Sequence, residues 1–280
     1  MPISLERIFA RTALTVSAWA GHRLGGPRSR RADDQQAQGD GRCFDGYELD
    51  FVATLSRHAA KHYSQNGEDG ILECLFGLFG TTNRFYVEIG TESGDECNTR
   101  WLREQGWVGV MLDCDHENPS LPLYREFVTA ENATELFAKY RVPRSFDLLS
   151  IDIDGQDHWI WKAIGAAYTP RVVVVEFSCA IPLEVSVTMP YDPLCEATGL
   201  GNDGQSLLAV QRLGEQLGYS LVYAEPPNAF LVLRAMLPAA YEELAVGEAC
   251  RSMEGPFYRE QRKVWERELR HLPWACPEVP

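Results

Sequence analysis

Asp152, Asp154 and Asp157 crowd together with His158 in the segment DIDGQDH, at the end of a strongly apolar run. Carboxylates a few ångströms apart raise one another's pKa or recruit a cation, so the segment suggests a proton-transfer group or a divalent-metal site. With a strand period of two, Asp152 and Asp154 face one side while Ile151 and Ile153 face the other. His158 has an unperturbed pKa near working pH and suits a general base that takes a proton from a hydroxyl or amine acceptor. Capping of a helix that begins at Trp159 explains it equally.

A second constellation lies upstream, in RFYVEIGTESG from Arg84 to Gly94. Val87 and Ile89 alternate with Tyr86 and Glu88 in the manner of a half-buried strand that ends in an acid, and Gly90 and Gly94 bracket a turn where backbone passes close to a ligand. Helical residues Cys97 to Gln105 follow, so the turn reads as a nucleotide-type cofactor site at a helix start.

The elements that must position these groups alternate between strand and helix patterns. Further strands are expected over Trp107–Leu112, Arg125–Thr129, Phe146–Ile151, Arg171–Phe177, Tyr219–Ala224 and Asn228–Leu233. The continuous run from Val172 to Val175 fits a central strand covered on both faces. Only Glu225, Pro226 and Pro227 separate the last two strands, which leaves no room for a crossover helix and makes them antiparallel. The expected fold is α/β and Rossmann-like: a mostly parallel seven-stranded sheet with one antiparallel strand and helices on both faces, the class I methyltransferase arrangement.

Four segments, YSQNGEDGIL, FYVEIGTESGDECNTRWL, LLSIDIDGQDHWIWKAI and RVVVVEF with the later MPYDP, make the chain resemble the FkbM-like branch of S-adenosylmethionine-dependent methyltransferases over roughly Tyr63 to Leu233. The resemblance implies S-adenosyl-L-methionine as cofactor. It places Glu88 near the cofactor ammonium and Gly90, Thr91 and Gly94 along the methionine part. Asp113, with Asp115 as competitor, falls at the ribose, Glu131 and Asn132 near the adenine, and Asp152 at the cofactor edge. Thr91, Glu92 and Ser93 interrupt the family's tighter glycine spacing. Glu88 as a cap of the next helix, and Glu131 and Asn132 as polar loop residues, are the competing explanations. Metal-assisted O-methyltransferases hold Mg2+ with acids at the ends of the fourth and fifth strands, and Asp152, Asp154 and Glu176 occupy those places here. Phe177 and Ser178 stand where an amide-bearing residue often completes such a site. Within the family the SQNGED segment lies over the cofactor mouth, although Ser64 or Asn66 as a helix N-cap also accounts for it.

The stretch from Ile181 to Gly204 has no clear period and should form a long lid or binding loop, with Tyr191 and Asp192 as acceptor-side residues. Trp159 and Trp161 stand two apart on a helix and cannot share a face, so at least one belongs to the core. In 280 residues with 45% hydrophobic content, the division expected is an N-terminal extension over 1–42, a methyltransferase domain over 43–238 and a C-terminal helical extension over 239–280, which packs on the domain or on a second subunit as a homodimer. A formal net charge of −14 without a basic stripe argues against nucleic acid. Eight cysteines show no metal-finger spacing and read as reduced thiols of a cytoplasmic protein. Arg7, Arg11, Arg23, Arg28, Arg30 and Arg31 accompany an apolar stripe from Leu5 to Trp19, which fits a mitochondrial-type segment or a peripheral membrane contact, whereas no run approaches the ~20 residues of a transmembrane helix.

The activity expected is O-methylation of a small-molecule or glycosidic acceptor. N-methylation, a non-catalytic scaffold that keeps the fold, and an Mg-dependent phosphatase that uses the IDIDG loop remain open.

Overall fold

The computed structural model describes residues 50–194 and 204–277. The expectations for the N-terminal extension, and for Cys195 to Asp203 of the long loop, fall outside the described residues.

Seven strands form one sheet in the order β3-β2-β1-β4-β5-β7-β6. They are β1 (Phe85–Ile89), β2 (Val108–Asp113), β3 (Leu123–Arg125), β4 (Ser145–Ile151), β5 (Thr169–Glu176), β6 (Tyr219–Glu225) and β7 (Asn228–Leu233). β3, β2, β1, β4 and β5 run parallel, while β7 is antiparallel to both β5 and β6. This is the class I methyltransferase sheet, and the short Pro226-Pro227 connection enforces its reversed strand as expected.

Helices α1 (Phe51–His58) and α2 (Glu68–Phe79) cover one face, where Phe51, Leu55, Ile71, Leu72 and Leu75 pack against Tyr86, Leu148, Val172, Val174 and Phe230. Helices α5 (Asp157–Gly165) and α6 (Leu207–Leu217) cover the other, with Trp161, Ile164, Val210 and Leu213 against Val87, Leu149, Val173 and Leu231. The short helices α3 (Arg100–Glu104) and α4 (Ala133–Lys139) complete the crossovers. Val172 to Val175 are each fully buried. At roughly 1.5–3 kcal/mol per side chain, β5 anchors the two layers together.

Three sequence expectations are corrected. β1 is buried on both faces, Tyr86 at 0% and Glu88 at 3% exposure, because neighbouring strands flank it and helices cover both sides. The third strand ends at Arg125 because the Asn132 side chain accepts from the Thr129 amide at 2.8 Å and donates to the Phe127 carbonyl at 2.8 Å, which folds that segment into a turn. The helix expected from Cys97 starts at Arg100, since the amides of Asn98 and Thr99 turn to the Glu88 carboxylate instead.

The C-terminal part is helical in pieces: α7 (Val246–Ala249), a 3-10 turn over Arg251–Glu254, α8 (Pro256–Val264) and a π-turn over Trp265–Leu269. Pro256 lacks an amide hydrogen and begins a new helix rather than continuing one. Ala249, Cys250 and Met253 enter the main core, and Trp265 and Leu269 pack on Ile181. Among the described residues no helix is long and apolar enough to cross a membrane.

At the opposite edge from the candidate site, Asp147 is fully buried and ties three elements together. Its carboxylate accepts from the amides of Thr82, Asn83 and Arg84 and pairs with Arg171 at 2.9 Å.

Candidate functional site

The alternation that puts Tyr86, Leu148, Val172, Val174 and Phe230 in one apolar layer carries Glu88, Ser150, Asp152, Glu176 and Asn228 onto the same face at the strand ends. A parallel sheet gathers its ligand groups at this carboxyl edge.

The candidate oxygens of Asp152, Asp154 and Glu176 lie within 4.8 Å of one another. Burial, then the charges of Asp157 and Asp154, push Asp152 up to about 8. Burial and the Asp152 charge drive Glu176 well above the carboxylate range, and the two carboxyls hydrogen-bond to each other. Such a site favours a cation: without one, it must hold protons. Asp154 is exposed and adopts φ 56°, a left-handed conformation that Asp tolerates better than most residues. Asp157 frames this turn, its two carboxylate oxygens accepting from the Ile153 amide at 3.0 Å and the Gly155 amide at 3.1 Å.

His158 does not join the carboxylate cluster. It is 1% exposed on α5, its Nδ1 lies 3.0 Å from Gln205 Oε1, and burial pushes its imidazole down to about 4, so it is neutral at working pH. Gln205 in turn donates to the Glu176 carbonyl at 3.1 Å, which makes His158 a brace behind the end of β5.

Glu88 accepts from the Asn98 amide at 2.7 Å and from the amide and hydroxyl of Thr99. It therefore anchors the chain that enters α3, the capping explanation weighed for it. Gly90 adopts φ +81°, and a Cβ there would stand 1.6 Å from the Asp152 carbonyl oxygen. The glycine is required by close passage of β1 and β4. Gly90→Ala is expected to cost more than about 3 kcal/mol or to prevent folding, read as soluble yield and thermal midpoint. A variant that melts like wild type would remove the contact from the account. Thr91 is buried, and Gly94 keeps φ +78°.

Glu92 holds φ 46° and donates its amide to Asp113 Oδ2 at 2.7 Å. Asp113 Oδ1 accepts from the amides of Asp115 and His116 and contacts His116 Nδ1, each at 2.9 Å. Burial opposes the charge on Asp113, but these donors outweigh it and hold the carboxyl below the usual range. Asp115 is exposed beside it.

Two residues expected at different ligands meet: the Tyr191 hydroxyl donates to the Glu131 carboxylate across the site. The 189–192 segment is pinned by Trp159 Nε1 on the Met189 carbonyl at 2.9 Å and by Gln156 Nε2 on the Pro190 carbonyl at 3.2 Å. Trp161 is the core member of the tryptophan pair, at 0% exposure. Asn132 spends its side chain on the 127–132 turn, and Asp192 caps Leu194.

The SQNGED segment reaches the same edge. Asp69 gathers the amides of His62, Tyr63 and Ser64, while Glu68 accepts from the Asn66 amide at 2.7 Å and from Asn228 Nδ2 at 2.9 Å. Sequence reasoning missed Asn228 and Gln205, and it placed Glu68 only within the SQNGED segment. The hairpin spacing placed the start of β7, but no local pattern shows that Asn228 sits opposite Glu176.

No protein-family model matches the chain, and no curated protein matches it. Among solved structures it is similar to an O-methyltransferase from Bacillus cereus in complex with SAH, at 14% identity over 67% of this chain and 91% of that one, with a TM-score of 0.36. It is also similar to human methyltransferase-like protein 13 in complex with SAH, at 12% identity over 74% of this chain and 96% of that one, TM-score 0.35. A third is the MycE methyltransferase of the mycinamycin biosynthetic pathway with Mg and SAH, at 13% identity over 64% of this chain and 57% of that one, TM-score 0.32.

Proposed function

We propose that this protein is an S-adenosylmethionine-dependent methyltransferase of the FkbM-like type that methylates oxygen on a small-molecule or glycosidic acceptor. The observation that carries this reading is the row of acids, Glu88, Asp113, Asp152 and Glu176, at the carboxyl ends of four parallel strands of a class I methyltransferase sheet. A cationic sulfonium compound with ribose hydroxyls matches that set: Asp113 Oδ2 has capacity for a hydroxyl donor, and the acid face favours positive charge.

In this reading Asp113 holds the ribose, with Asp115 beside it, and the Gly90–Thr91 turn and Gly94 carry the methionine part. Glu88 acts as a positioning residue that keeps the turn in shape. Glu131 and Tyr191 together border the adenine and acceptor side, and Asp192 lies at the acceptor mouth. S-adenosylmethionine supplies the methyl group and its own leaving group, so the protein has mainly to align the nucleophile and exclude water. Asp152, Asp154 and Glu176 fit a hard divalent cation such as Mg2+, which would orient and acidify an acceptor hydroxyl. Asp154, exposed at the strand end, is the carboxylate best placed to receive the acceptor proton. His158 serves by bracing Gln205. The six free cysteines among the described residues suit a reducing, cytoplasmic setting.

The test is calorimetric titration of the full chain with S-adenosylmethionine and S-adenosylhomocysteine, with and without Mg2+. Dissociation constants in the micromolar range are expected. Absence of binding to either compound would overturn the methyltransferase reading and favour a scaffold role.

A further inference from the structure

We propose that Asn228 supplies a neutral oxygen ligand to the cation site of Asp152, Asp154 and Glu176, and that Glu68 sets the direction of its amide. The proposal deepens the metal part of the function proposed above and rests on that part alone.

Asn228 is the antiparallel partner of Glu176, so the two side chains stand side by side on the same face of the sheet. It is 4% exposed, and its Nδ2 donates to Glu68 Oε1 at 2.9 Å. A carboxylate accepts and cannot donate, so Glu68 fixes which end of the amide it receives. Glu68 is itself held by the Asn66 amide and is 2% exposed, so the constraint is rigid. The carbonyl oxygen Oδ1 is thereby turned away from Glu68, and it is buried without a hydrogen-bond partner. An orphaned buried acceptor in a native fold calls for an explanation. Asn228 stands opposite Glu176, one of the three clustered carboxylates, and there a cation is the partner that fits, because carbonyl and carboxylate oxygens are the ligands that Mg2+ and Mn2+ prefer. The amide-bearing residue not found after β5 at Phe177 and Ser178 is thus supplied by the neighbouring strand.

The experiment uses the full chain without cofactor and Mn2+ as the probe, read by electron paramagnetic resonance and by calorimetric competition with Mg2+. Wild type is expected to bind one Mn2+. Asn228→Leu, which keeps the volume and removes the oxygen, should weaken it at least ~10-fold, and Asn228→Asp should bind at least as tightly as wild type. Glu68→Gln, able to donate to the amide and release its orientation, should weaken Mn2+ by ~10-fold without changing the ligand count at saturation. Thermal midpoints report folding, and Asn228→Ser, smaller but still oxygen-bearing, serves in place of the leucine variant if that one does not fold, with binding intermediate between the two. Mn2+ affinity unchanged in Asn228→Leu overturns the proposal, as does a wild-type chain that binds no Mn2+ at millimolar concentration. The methyltransferase reading is judged separately by S-adenosylmethionine titration, so either can fail while the other stands.

Discussion

Asp147→Ala is expected to destabilise the protein by about 3–5 kcal/mol, a large share of the 5–15 kcal/mol typical of a folded domain. The carboxylate is fully buried and accepts from three consecutive amides, those of Thr82, Asn83 and Arg84, as well as from the Thr82 hydroxyl and Arg171. Alanine leaves those donors without an acceptor and removes the counter-charge from Arg171, which is 13% exposed and keeps only the carbonyls of Phe79 and Gly80. Each unpartnered buried donor costs roughly 1–3 kcal/mol. The connection from α2 into β1 and the start of β5 should loosen together, seen as a lower urea midpoint. A midpoint change equivalent to less than about 1 kcal/mol would show that solvent replaces the hub without penalty.

The same group makes a pH prediction. Burial raises the carboxyl, but Arg171, the amide and hydroxyl of Thr82 and the Arg84 amide outweigh it and hold Asp147 below its ordinary value. A depressed folded pKa contributes stability above the unfolded value of about 3.9, and that stability is lost as pH falls through the folded value. The Asp147→Ala variant should therefore lose less stability than wild type on acidification below about pH 4, which paired urea titrations at neutral and acid pH would show.

Asp113→Ala should lower S-adenosylmethionine affinity by about 100-fold or more, equivalent to roughly 2.7 kcal/mol. Two effects combine. The ribose loses a charged acceptor, worth roughly 1.5–3 kcal/mol per hydrogen bond, and the Glu92 amide loses the bond that holds its left-handed conformation. The loop after β2 loosens as well, since the amides of Asp115 and His116 share the same oxygen. Asp113→Asn should fall between the two, because an amide oxygen accepts but its NH2 opposes the facing donors. Calorimetry on both variants decides: affinity within about threefold of wild type in Asp113→Ala would remove Asp113 from the ribose site.

The sequence by itself determined the sheet and most of its edges. Period-two apolar runs and the β-branched stretch of β5 announce strands whatever their neighbours are, and a three-residue connection containing two prolines forces an antiparallel pair. It also determined which acids fall at strand ends, since Glu88, Asp113, Asp152 and Glu176 each follow an apolar run. What it could not decide was which way each polar group turns. Glu88 reads as a ligand acid, and only the fold shows that Asn98 and Thr99 also engage its carboxylate; His158 reads as a base, and only the fold shows that burial keeps it neutral with Nδ1 against Gln205. Gly90 reads as a ligand-facing glycine, and only the fold shows that the Asp152 carbonyl against it also demands a residue without a Cβ. Asn228 carries no local signal at all, because its significance lies in lying opposite Glu176 and against Glu68, 160 residues earlier in the chain. Local patterns report burial and period, which depend on nearest neighbours along the chain. Hydrogen-bond partners and the proton affinities they set depend on groups far apart in sequence, and only the tertiary structure brings those together.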